Sequence, residues 1–88
     1  MNRTEFKEKA KENIDDLFQQ LDQMEQKALE VKGDAKEKLQ EKIALLQERK
    51  KDLHDRFKNL EKSTDENWTK VVNAFTNGVD AFKETLQQ

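Results

Sequence analysis

The sequence predicts an all-α protein, an antiparallel three-helix bundle or coiled coil, and three observations carry that prediction. An apolar stripe at helical spacing runs through the first two thirds of the chain, and a second stripe follows it. The 88 residues include two glycines, no proline and no cysteine. So few turn-forming residues cannot supply the connections of a sandwich or barrel built from many short strands. With 41% charged residues the chain resembles a disordered polymer in composition, but its formal net charge is only −2. Self-repulsion is therefore weak, and the ordered apolar spacing is a feature that a disordered chain has no reason to keep.

The first stripe comprises Phe6, Ala10, Ile14, Leu17, Leu21, Met24, Ala28, Val31, Ala35, Leu39, Ile43, Leu46, Lys50, Leu53, Phe57 and Leu60. Its fifteen steps of three or four residues span 54 positions, a mean of 3.6, which is the α-helical period. Lys50 alone is not apolar. A single polar group in such a seam can fix register at a cost in stability, so Lys50 is the candidate register-setting residue. Its ammonium could instead reach solvent along the bundle edge.

The stripe must fold back somewhere, and Lys32-Gly33-Asp34 is the first candidate turn. Gly33 suits a helix C′ position with positive φ, and Asp34 would cap the next helix, with Glu37 three residues on. The stripe nevertheless crosses Gly33 without a phase jump. This leaves open one long helix over 3–61 with a short folded-back helix over 64–87, dimerising with a second chain. Charge favours the three-helix form. Residues 1–31 sum to −3, 32–62 to +3 and 63–88 to −2, a pattern suited to pairing three antiparallel segments. The expected domain is a single unit over 1–88, with helices at about 3–31, 34–61 and 64–87.

The second boundary falls at Glu61-Lys62-Ser63-Thr64-Asp65-Glu66. Ser63 followed by Glu66 reads as a capping box, and Asp65 and Glu66 suit the positive end of a helix dipole. Beyond it, Trp68, Val72, Phe75, Val79, Phe82 and Leu86 form a heptad seam. Beside them runs a row of mostly small residues, Val71, Ala74, Gly78, Ala81 and Thr85, along which another helix could approach closely. Gly78 within a helix costs about 0.5–1 kcal/mol relative to alanine, so it marks a close contact or a kink. The candidate partner-binding face is accordingly Trp68, Val71, Val72, Phe75, Gly78, Val79, Phe82 and Leu86.

The chemical inventory is sparse. His54 is the only histidine, and the position three residues before it is Lys51, where a helix-borne di-metal site would need glutamate. The Ser and Thr residues have no base at a useful spacing. Adjacent carboxylates such as Asp15-Asp16 face water on a narrow bundle rather than a desolvating pocket. No glycine-rich phosphate loop is possible with the glycines 45 positions apart. The expectation is a protein that is not an enzyme, with no catalytic residue, no metal and no cofactor. The basic cluster Arg49-Lys50-Lys51 with Arg56 and Lys58 is interleaved with Glu48, Asp52 and Asp55, so no nucleic-acid partner is expected. No apolar run approaches the ~20 residues of a membrane-spanning helix, and the first residues lack the apolar core of a secretory signal.

The segment Leu60-Glu61-Lys62-Ser63-Thr64-Asp65-Glu66-Asn67-Trp68, following a Glu/Lys/Leu-rich coiled coil and preceding a short Val/Phe-rich helix with Gly78 inside it, resembles a group of small bacterial coiled-coil proteins of unknown function. The chain departs from that pattern at Asn73-Ala74-Phe75-Thr76-Asn77, which is less charged. The resemblance implies a bacterial, cytoplasmic protein and no particular activity. The functional expectation is a non-catalytic helical protein–protein interaction or assembly module, as a homo-oligomer or a small subunit of a larger complex. The alternative is a peripheral amphipathic protein that binds a lipid or hydrophobic particle surface through the helix bearing Trp68, Phe75 and Phe82. That helix carries only Lys70 and Lys83 against four acids in its segment, which favours helix-in-groove protein binding.

Overall fold

The computed structural model describes residues 2–88; Met1, the first residue of the expected span, lies outside the described residues. The chain folds as three α-helices, α1 over Arg3–Ala28, α2 over Asp34–Glu61 and α3 over Trp68–Gln87. They form an antiparallel bundle of 51 × 17 × 17 Å. α2 is the spine: α3 packs along it extensively, α1 packs along it less, and α1 meets α3 only sparingly.

Each helix exists because its apolar positions fall on one face. Ala10, Ile14, Leu17 and Leu21 of α1 are buried against Leu46, Leu53 and Leu60 of α2 and Phe75, Val79 and Phe82 of α3. Five of these side chains, Leu21, Leu46, Leu53, Leu60 and Phe82, are almost completely removed from water. Burial of each contributes about 1.5–3 kcal/mol relative to exposure. Aromatic edges tie the helices together: Phe6 meets Trp68 at 5.6 Å and Phe75 at 6.5 Å, Phe18 meets Phe82 at 5.7 Å, and Phe57 meets Phe75 at 6.2 Å.

The turn at Gly33 forms, so α1 and α2 are separate helices rather than one helix over 3–61. α1 ends at Ala28 rather than near residue 31, and residues 29–33 make the connection. Gly33 has φ +73°, the one positive φ among the described residues. Two details differ from expectation. Gly33 stands at the N-cap of α2 and not at the C′ of α1, and Asp34 is the first helical residue rather than the cap. The Gly33 carbonyl accepts from Lys36 N at 3.0 Å, and no side chain caps this helix.

The second turn differs more. α3 begins at Trp68, not at residue 64, and the Ser63–Glu66 capping box does not form. The Ser63 hydroxyl is shielded from water and has no hydrogen-bond partner. Asn67 stands at the N-cap, but its Oδ1 turns back to accept from Thr64 N at 2.7 Å. Tertiary contacts compete with the local signal here. Arg3 forms an ion pair with Asp65, and its guanidinium lies 5.2 Å from the Trp68 ring centroid. Trp68 is anchored by its edge contact with Phe6 at 5.6 Å, residues 65–67 form a turn, and the helix starts at the tryptophan; the exposed Arg3–Asp65 pair adds little.

At this same N-terminal end of α1 a cap forms that resembles a capping box. Asn2 Oδ1 accepts from Glu5 N at 2.8 Å, and Asn2 Nδ2 donates to Glu5 Oε1 at 3.3 Å. The charge alternation does not act as a pairing code. Among the described residues the ion pairs are Arg3–Asp65, which ties α1 to a turn, and Arg56–Asp52 within α2 at 3.0 Å. Exposed pairs contribute little, about 0–1 kcal/mol, so helix order rests on the apolar seams.

Candidate functional site

The expected partner face on α3 is largely taken up by the bundle itself. Phe75, Gly78, Val79 and Phe82 are buried against the other helices, while Trp68, Val71, Val72 and Leu86 are half-buried. The small-residue row meets α2 at Ala74 and Gly78, where the helices approach closely. A Cβ there would lie 2.9 Å from Arg56 Cδ and 3.1 Å from Leu53 Cδ1. Arg56 passes over this gap and donates through Nη1 to the Ala74 carbonyl at 2.6 Å. That carbonyl belongs to a helical turn that Gly78 leaves uncovered. Thr85, also buried, donates Oγ1 to Ala81 O at 3.0 Å.

Lys50 is half-buried, with Nζ 5.2 Å from the centroid of the Phe18 ring. Its stem continues the seam of α2 while its charge rests on an aromatic face, an arrangement that both polar-register and edge-seeking readings accommodate. His54 is exposed. Among the described residues no group of three or more His, Asp or Glu side chains could hold a metal ion, and no helix is long and apolar enough to cross a membrane.

What remains open is the end of the molecule nearest the first turn. With 28 residues α2 is about 42 Å long, whereas the 20 residues of α3 span about 30 Å. α3 stops beside Lys42, whose Nζ donates to the Gln88 carbonyl. Past that point the seam of α1 and α2 continues without a third helix. A groove of about 530 Å³ opens there between Met24, Val31, Ala35, Leu39 and Leu86, rimmed by Gln20, Gln23, Lys27 and Lys42. A second cleft, with Leu39 and Lys42 in common, reaches Leu45 on the other side of the α3 end. Leu29, in the turn itself, is 76% exposed, the only large hydrophobic residue among those described that faces water so fully.

Sequence reasoning placed Val31, Ala35 and Leu39 in the stripe but did not separate them from the covered positions. The signal was the length difference between the stripes, because the shorter one cannot cover the longer. A small antiparallel three-helix bundle with one end uncovered is the class that this geometry defines. Comparison with protein-family models, curated proteins and solved structures gives no match.

Proposed function

We propose that the chain is a non-catalytic helical interaction module that works by protein–protein contact, as a homo-oligomer or a small subunit of a larger assembly. The observation that supports this reading is the apolar seam that runs on past the end of α3. Met24, Val31, Leu39, Leu45 and Leu86 stay half-exposed there and Leu29 faces solvent. Apolar side chains grouped within a polar rim mark a contact surface more often than scattered ones do. A bacterial cytoplasmic setting goes with this reading, on the resemblance carried by Ser63–Trp68 and Gly78 alone.

Binding to a lipid or hydrophobic particle surface through α3 would require the bundle to open, because Phe75 and Phe82 are buried in it. The test is sedimentation and affinity capture with the purified chain at tens of micromolar, beside the variant Leu39→Glu. Association that Leu39→Glu abolishes while helicity is retained supports the proposal. A chain that stays monomeric and holds no partner overturns it.

A further inference from the structure

We infer that the chain forms a domain-swapped dimer, in which the α1–α2 turn straightens and α1 of each copy packs on the α2–α3 hairpin of the other. The inference rests on the homo-oligomer form of the reading above. Its starting point is a coincidence between sequence and structure. The apolar stripe keeps its 3.6-residue period straight through residues 28, 31, 35 and 39, although the chain turns there. A turn has no need of that phase. A continuous helix over residues 3–61, roughly 90 Å long, would present a single unbroken apolar face.

The turn itself is lightly held. It is five residues long, its α2 end has no side-chain cap, and its shape depends on the positive φ of Gly33. A Cβ built at Gly33 meets nothing within 4 Å, so a side chain there is opposed by the positive φ of the turn and not by a clash with neighbouring atoms. α1 is also the helix that shares least with the rest, since it meets α3 only sparingly. Exchanging identical contacts between copies leaves the core unchanged, so the balance between monomer and dimer falls on the hinge.

The register supports the same conclusion. In the bundle Lys7 Nζ donates to Glu61 O at 3.1 Å, Lys50 lies over Phe18, and Gln47 bonds Glu25. Continued through a straightened hinge, that antiparallel pairing sets Val31 against the partner's Leu39 and Ala35 beside its own copy across a two-fold axis. The stripe residues that the monomer leaves half-exposed thereby gain apolar partners.

The deciding experiment uses the full chain with Gly33→Ala, which disfavours positive φ and favours helix. The expected result by light scattering is a dimerisation constant raised about tenfold per straightened hinge, so about a hundredfold overall. Swapping is separated from face-to-face docking by spin labels at Glu8→Cys and Glu61→Cys, exposed sites that line one cleft between α1 and α2. In a swapped dimer the short label distance disappears when labelled chains are refolded in excess unlabelled chain. A Gly33→Ala protein that stays monomeric, or a dimer that keeps the short distance on dilution, overturns the inference. Two glycines inserted after Gly33 break the phase and should hold the chain monomeric; a dimer strengthened by that insertion also overturns it. A monomeric Gly33→Ala chain that still captures a partner defeats the swap alone and leaves the interaction-module reading standing.

Discussion

At position 78 the missing side chain lets Arg56 lie across α3 and reach the Ala74 carbonyl. Alanine there would gain about 0.5–1 kcal/mol of helix propensity. It would also drive a methyl group into Arg56 and the fully buried Leu53, and overpacking of this kind costs about 1–3 kcal/mol. Gly78→Ala is therefore expected to lower stability by about 1 kcal/mol in urea unfolding followed by circular dichroism. In an Arg56→Ala background the loss should shrink, because the nearest obstacle is gone. An equal loss in both backgrounds would remove Arg56 from the explanation. Ser63 makes the opposite case. A true N-cap loses about 1 kcal/mol on mutation to alanine, whereas a shielded hydroxyl without a partner carries its own desolvation cost. Ser63→Ala should leave the unfolding midpoint unchanged or raise it, and a clear drop would mean that the hydroxyl is bonded after all.

Among the elements, α2 is the scaffold and α1 the most loosely attached. Amide exchange should register this ranking: the inner face of α1 around Ile14 and Leu17 exchanges before Leu46, Leu53 and Leu60 of α2. Equal protection in both helices would contradict the ranking. The elements also show how much of the fold was legible in the residues. The existence and faces of all three helices followed from periodicity, because burial of one stripe dominates helix formation in water. The Gly33 turn was only half legible: glycine suits that backbone region, but a stripe that crosses it in phase left one helix over 3–61 open. The start of α3 was not. Ser63, Asp65 and Glu66 carry a proper local signal, and the packing of Trp68 on Phe6, some sixty positions away in sequence, competes with it. The Asn2–Glu5 cap shows the reverse, a local signal that operates as its spacing would suggest.

On the scale of the whole molecule, the difference between expectation and structure lies in the charges. Segment sums of −3, +3 and −2 invited a pairing code, yet among the described residues no ion pair joins one helix to another. Net charge averages over faces, and most charged side chains of a slim bundle point into water, where pairing is weak. The candidate surface was only half legible for a related reason. Periodicity marks which residues avoid water but not whether the molecule has enough helix to cover them, and the first stripe is longer than the second.

The early end of α3 has a mechanical consequence. The molecule is a rod 51 Å long whose cross-section falls from three helices to two before its tip. A rod of that form does not bend evenly. Under a sideways load the thin end, from about Met24 through the Gly33 turn to Lys42, flexes while the three-helix shaft stays straight, so the molecule combines a stiff handle with a compliant tip.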